Sequence, residues 1–188
     1  MNHPDPAPHP QLHPQLHPNL HPNLHPNLHR LAEQAVTGAL GRGLTAATAE
    51  SLTAGMVTAV LADTPGASGM LQGGVVSYAN KVKADVLGVP AELLDAVGSV
   101  DGDVAAAMAD GARRICGADI GVSTTGVAGP EPHDGKAVGT VFIGIATAEG
   151  STSYPYSFEG SRAEIRALAC GAALERLLEA LSSEGYRA

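Results

Sequence analysis

The sequence has no tryptophan, and two Phe and four Tyr are its only aromatic residues other than histidine. A core without large rings has to be packed from Ala, Val, Leu and Ile, the small-aliphatic filling of closely wound α/β domains. Cysteine is almost as scarce: Cys116 and Cys170 stand alone, with no Cys-x-x-Cys spacing, which excludes a disulfide framework and a zinc ribbon and leaves two free thiols. Eleven Lys and Arg against nineteen Asp and Glu give a formal charge of −8. Its summed field disfavours non-specific binding to nucleic acid or to an anionic membrane, so the expected partner is a small molecule. An anionic ligand would need a local cluster of cations. No apolar run approaches the ~20 residues of a membrane span, and the N-terminus lacks the basic and apolar stretches of a secretory signal, so a cytoplasmic location is expected.

Proline and histidine are concentrated at one end. From His9 the chain repeats His-Pro-Gln-Leu twice and His-Pro-Asn-Leu three times, and seven of the eight histidines precede Arg30. Proline at every fourth position removes donors and opposes a continuing helix, and one Leu per unit cannot form a core. Residues 1–27 are therefore expected to be an extended tail outside the folded unit, with capture of Ni²⁺ or Zn²⁺ by its imidazoles as the alternative use. Residues 28–188 are expected to form one domain.

Within that domain, Leu28, Leu31, Ala32, Ala35, Val36, Ala39 and Leu40 recur at helical spacing, and Gly41 and Gly43 stop the helix. Leu44 to Ala49 reads as a buried strand, Glu50-Ser51-Leu52 as a tight turn and Thr53 to Leu61 as a helix. A strand over Gly73 to Tyr78 and a short helix from Asn80 to Leu87 follow. Asp101 or Asp103 can cap a helix with Val104, Met108 and Ile115 on one face, and Ala118 to Ser123 returns as a strand. Val138 to Thr147 and Thr152 to Phe158 read as a hairpin across Glu149-Gly150. The last helix opens on a capping box, Ser161-Arg162-Ala163-Glu164, and carries Leu174, Leu177, Leu178 and Leu181 on one stripe. Interleaved helices and strands with one hairpin predict a three-layer α/β/α sandwich on a mixed β-sheet.

Four places could carry chemistry. Ser51, where a strand hands over to a helix, would sit on an elbow beside unpaired N–H groups, although an ordinary helix N-cap has the same local sequence. In Ser77-Tyr78-Ala79-Asn80-Lys81, Tyr78 and Lys81 would share a face if both lie on a helix, and a lysine with a lowered pKa can serve a serine nucleophile as base. Gly126-Val127-Ala128-Gly129-Pro130 follows a strand and leaves backbone N–H groups free for a phosphate or ribose. Arg162 lies in the first turn of a helix, where a cation opposes the macrodipole and a bound phosphate would compensate. Gly41-Arg42-Gly43 follows a helix and precedes a strand, the reverse of a Rossmann turn.

Taken together, Ala49-Glu50-Ser51-Leu52-Thr53-Ala54-Gly55, Ser77-Tyr78-Ala79-Asn80-Lys81, Thr124-Thr125-Gly126-Val127-Ala128-Gly129-Pro130, Val138-Gly139-Thr140-Val141 and Phe158-Glu159-Gly160-Ser161-Arg162 resemble, in order and spacing, the CinA C-terminal domain family. The resemblance spans about Leu31 to Leu181. It implies a nicotinamide mononucleotide deamidase of pyridine-nucleotide salvage, releasing nicotinic acid mononucleotide and ammonia without a metal or organic cofactor. It further implies Ser51 as nucleophile, with Tyr78 and Lys81 as proton relay and base, and in that mechanism the oxyanion would be held by N–H groups near Leu52 to Gly55. Glu50, Thr53, Gly55, Thr125, Gly126, Gly129 and Arg162 would face the substrate, and a homodimer or larger homo-oligomer is implied. Ala54 stands where many members carry glycine, and Asp101 where they commonly carry serine. The large N-terminal domain of some members is not matched by the repeat tail, so any activity of that domain is not expected. His133 is not required. The alternatives are a pyridine-nucleotide-binding module without turnover, and a Ser/Lys amidase acting on another small amide.

Deleting the residues before Leu28 is expected to leave the melting temperature nearly unchanged; a large drop in a thermal melt would show that the tail packs on the domain.

Overall fold

The computed structural model describes residues 25–183. Helix α1 (His25–Arg42) begins inside the last repeat unit, because a proline at the second helical position, Pro26, forfeits an N–H that the first turn would leave unpaired anyway. The boundary expected at Leu28 thus lies three residues into the helix; residues 1–24 of the repeat fall outside the described residues.

Strand β1 (Ala46–Glu50), α2 (Met56–Ala62), β2 (Leu71–Val76), α3 (Asn80–Asp85), α4 (Ala91–Val97), α5 (Gly102–Cys116), β3 (Ile120–Gly126), β4 (Thr140–Thr147), β5 (Gly150–Ser157) and α6 (Arg162–Ser182) complete the chain. The sheet order is β2-β1-β3-β4-β5, with β1 parallel to both β2 and β3, and the β3–β4 and β4–β5 pairs antiparallel. The expected three-layer mixed-sheet sandwich is what forms. Two local expectations fail. Helix α2 starts at Met56, not Thr53, because Ser51 to Gly55 form a turn with Ala54 and Gly55 at positive φ. Helix α4, which was not among the expected elements, is only seven residues long, with Pro90 before it and Gly98 after it.

Strand alternation sorts the two layers. Ala46, Ile120, Val122, Val141, Ile143 and Ile145 pack with α1, α2 and α6, whereas Ala47 and Ala49 pack with α5 and the Leu87–Leu94 segment. Because α2 covers one face and α5 the other, the chain from β1 turns to β2 on one side and then to β3 on the other. The carboxyl end of β1 lies at that reversal, where open α/β sheets bind ligands.

Helix α5 lies unusually close to the sheet. A Cβ at Gly121 would overlap the Ala109 carbonyl oxygen, and one at Gly144 would overlap the carbonyl oxygen of Ala105. Ser123 seals the same contact by donating from Oγ to that Ala105 carbonyl at 2.5 Å. Gly121→Ala and Gly144→Ala are each expected to destabilise the domain by about 1–3 kcal/mol through overpacking, read as a lower urea midpoint; an unchanged midpoint would show that α5 can retreat freely.

Candidate active site

Ser51 follows directly on β1, and its position is set by three strands. Its N–H donates to the Thr124 carbonyl of β3 at 2.9 Å, while Ser77, just past β2, donates its N–H to the Glu50 carbonyl at 2.8 Å. The turn after Ser51 is held by the buried Glu50. Strand alternation sends that side chain under α2, where its two carboxyl oxygens accept from the N–H groups of Gly55, Val57 and Thr58 and from Thr58 Oγ1 at 2.6–3.1 Å. Thr58 Oγ1 in turn accepts from Thr48 Oγ1 at 2.6 Å. Glu50 is thus a capping group for α2 and does not line the cleft. Of the donors once expected to be free near Ser51, Gly55 is consumed by Glu50, and the Ala54 N–H donates back to the Ser51 carbonyl.

The lysine beside Ser51 is Lys83, not Lys81. Lys83 is 1 % exposed; its Nζ lies 3.3 Å from Ser51 Oγ and donates to the Ser77 carbonyl at 2.9 Å. Burial pushes its pKa below the ordinary lysine value, opposed in part by Asp134. Lys81, whose side chain is 84 % exposed, pairs instead with Asp85, which raises its pKa. The expected Tyr78–Lys81 face does not exist, because α3 starts only at Asn80 and Tyr78 precedes it in extended chain. Two signals for the correct lysine were present. Lys81 and Asp85 form an i,i+4 ion pair typical of a solvated face, and Lys83, about 200° round the helix from Lys81, is four residues before the buried Leu87.

A cleft of about 320 Å³ opens beside Ser51 and Leu52, lined by Tyr78, Ser99, Val100, the 126–133 loop and Arg162. Ser51, Tyr78, Gly126, Gly129 and Arg162 are therefore brought together as expected. Glu50, Thr53, Gly55, Thr125 and Lys81 do not line it. Thr53 shares a buried hydroxyl bond with Thr124 at 2.7 Å, and Thr125 points to the α5 face, donating to the Ser99 carbonyl at 2.6 Å. Arg162 bridges the rim, donating to the Gly129 carbonyl at 2.7 Å and to Tyr78 Oη at 2.9 Å. The capping box of Ser161 and Glu164 supplies the negative charge that its helix terminus needs. The 129–138 loop is latched by Asp134, whose Oδ2 accepts from the N–H and Oγ of Ser99; those bonds hold its carboxyl below the usual range. This loop also places His133 in the cleft wall. The buried Cys170 is no rival nucleophile: desolvation, reinforced by Glu50, pushes its thiol up to about 12.

The CinA C-terminal domain model matches residues 28–181. The chain belongs to the CinA C-terminal domain family. A CinA-like protein of Frankia casuarinae is 48 % identical over 134 residues, covering 71 % of this chain and 31 % of that protein. Another, from Geotalea uraniireducens, is 42 % identical over 142 residues, or 75 % and 34 %. The chain spans about a third of the length of the curated relatives it matches. Among solved structures, the competence/damage inducible protein CihA of Agrobacterium tumefaciens superposes with a TM-score of 0.79 at 34 % identity, covering 84 % of this chain and 96 % of that one. The competence damage-inducible protein A of Klebsiella pneumoniae gives 0.81 at 31 %, covering 84 % and 99 %. The fold is thus that of the CinA superfamily. Ala54 sits at φ 50°, a region that disfavours a Cβ and suits glycine, the residue that the resemblance leads one to expect there. Among the described residues, no helix is long and apolar enough to cross a membrane.

A buried ammonium destabilises the fold. Between the lowered pKa of Lys83 and its unfolded value near 10.5 the unfolded chain binds the extra proton, so stability rises with pH across that window. Lys83→Met is expected to flatten this rise and to melt at or above the wild-type temperature at pH 7, whereas Lys81→Met leaves the slope intact. Identical slopes in wild type and Lys83→Met would mean that Lys83 is not the titrating group.

Proposed function

We propose that this domain hydrolyses the carboxamide of nicotinamide mononucleotide, releasing ammonia and nicotinic acid mononucleotide, with Ser51 as nucleophile and Lys83 as its base. The observation that carries the reading is the Lys83 amine, buried behind Ser51 within 3.3 Å of its Oγ, while Ser51 itself lines a cleft sized for a small ligand. A lysine whose neutral form is favoured by desolvation can accept the serine proton, the requirement that a solvated lysine at position 81 would not meet. The family resemblance supplies the substrate; Arg162 at the rim supplies a cation for its phosphate in a protein otherwise strongly acidic.

In this mechanism Ser51 Oγ bonds to the carboxamide carbon as its proton passes to Lys83 Nζ, and the carbonyl pair moves onto oxygen. The protonated Lys83 then delivers that proton to the leaving nitrogen, the C–N bond breaks, and ammonia departs. Water, deprotonated by the same amine, attacks the acyl–Ser51 ester; the C–Oγ bond breaks, Lys83 returns the proton to Ser51 Oγ, and the acid is released. Tyr78 is assigned to the rim, where Arg162 fixes its hydroxyl near the ligand, while Gly126 and Gly129 offer backbone to the sugar or phosphate.

Ammonia release from nicotinamide mononucleotide, assayed with chelator present, is expected from wild type and Lys81→Met but not from Ser51→Ala, with Lys83→Met slowed by about 10²–10⁴-fold. Arg162→Ala should raise KM for the nucleotide more than for its dephosphorylated nucleoside. No ammonia from wild type would sink the substrate; full activity in Ser51→Ala would sink the nucleophile.

A further inference from the structure

The turn carrying Ser51 has two donors with nothing to bind. Leu52 and Thr53 are 4 % and 0 % exposed, yet among the described residues neither backbone N–H donates a hydrogen bond. Their neighbours are all committed: Ser51 N–H to Thr124, Ala54 N–H to the Ser51 carbonyl, and Gly55 N–H to Glu50. Buried backbone donors are nearly always paired, so the orphan that borders the cleft beside the nucleophile, at Leu52, marks a place for an incoming acceptor.

The carbonyl side of the same turn is occupied. From one turn inside α6, Arg166 donates its Nε to the Leu52 carbonyl at 2.9 Å and one Nη to the Thr53 carbonyl at 2.8 Å. In a trans peptide the C=O and the following N–H point in opposite directions. Binding the Thr53 carbonyl to α6 therefore turns the Ala54 N–H the other way, onto the Ser51 carbonyl, and that bond in turn leaves the Leu52 N–H pointing away from the Ser51 carbonyl. A full positive charge on the oxygens also draws electron density from those peptide groups and strengthens their N–H groups as donors. A planar fork reaches the two successive carbonyls in one fixed geometry, which a flexible ammonium does not impose.

We propose that Arg166 is a positioning residue whose guanidinium, bonded to the carbonyls of Leu52 and Thr53, holds the turn and, through the Ala54 N–H and the Ser51 carbonyl it binds, aims and polarises the Leu52 N–H at the cleft to receive the oxyanion formed when Ser51 adds to an acyl carbon. The assignment rests on Ser51 being the nucleophile and not on the identity of the amide. Arg166 touches neither substrate nor reacting atoms; it acts through the backbone.

The test uses the full chain as wild type, Arg166→Lys and Arg166→Ala, with two readouts: steady-state ammonia release from nicotinamide mononucleotide, and the rate at which a fluorophosphonate labels Ser51, its phosphonyl oxygen taking the place of the oxyanion. Arg166→Lys is expected to lower both kcat and the labelling rate by about tenfold or more, with KM changed by less than about threefold. Added ethylguanidinium should restore part of the labelling rate in Arg166→Ala, which loss of folding would not allow. If Arg166→Ala does not fold, the lysine variant decides alone. Unchanged kcat and labelling in Arg166→Lys, or a raised KM at constant kcat, would overturn the assignment. Wild type that is labelled at Ser51 but yields no ammonia would remove the substrate reading, and the labelling rates would still decide the role of Arg166. Wild type that is neither labelled nor active would overturn both.

Discussion

The site depends on one buried carboxyl group. Glu50 ends β1 pointing under α2, and its four accepted hydrogen bonds do for the start of that helix what water or an external N-cap residue does elsewhere. The consequence is geometric. With the first N–H groups of α2 satisfied from beneath, the turn between Ser51 and Gly55 can stay tight and dry, and Ala54 can be held at a positive φ that would otherwise relax. The same residue's main chain ties in the neighbouring strand, because its carbonyl receives the Ser77 N–H. Ser77 then offers its own carbonyl to Lys83. A single residue thus links the nucleophile turn, the end of β2 and the buried amine.

Such a centre is costly to fold. It places a carboxyl group, an amine and several hydroxyls in the interior, and each is tolerable only because its partners are in place. The sheet is arranged to provide them. Alternation along β3 sends Thr124 to Thr53 on the α2 side and Thr125 to Ser99 on the α5 side, so consecutive hydroxyls brace opposite walls of the cleft. Asp134 completes the second wall by fixing the 129–138 loop to Ser99, and its charge is also felt by Lys83. The pull of Asp134 on the ammonium opposes the push of burial, so the latch of the loop and the proton affinity of the amine are physically coupled.

Much of this was legible in the residues. The periodicities of Leu28–Leu40 and Leu174–Leu181 and the capping box at Ser161 are local signals, and each element formed where its signal lay, while the expected hairpin formed one residue early, across Ala148-Glu149, with Gly150 already paired to Thr147. The elbow at Ser51 and the glycine loop after β3 were recognisable because strand-to-loop junctions at the carboxyl edge of a sheet carry local composition cues. What failed was the assumption that sequence neighbours share a face across a helix boundary. Tyr78 lies outside α3, so its spacing to Lys81 had no helical meaning, and Lys83 was hidden by a polar name in a buried position. Glu50, Thr53 and Thr125 failed for the complementary reason: residues adjacent to a site in sequence alternate away from it on a strand or turn inward beneath a helix.

Arg162 and Arg166 show how far one helix can serve two tasks by spacing alone. They are four residues apart, hence on neighbouring positions of one face, yet the first ends at the exposed rim on Tyr78 and Gly129 while the second reaches the carbonyls of the nucleophile turn. Rotation of α6 by half a turn would disengage both. The depth of its packing against α1 and the sheet, through Ile165, Ala169, Leu174 and Leu177, therefore sets the geometry of the rim and the turn together. The capping box fixes where the helix begins, and so decides which residue falls at the rim and which one turn deeper. The apolar stripe far from Ser51 consequently enters the chemistry through the positions of two guanidinium groups, which is why the core of α6 and the active site should be read as one constraint.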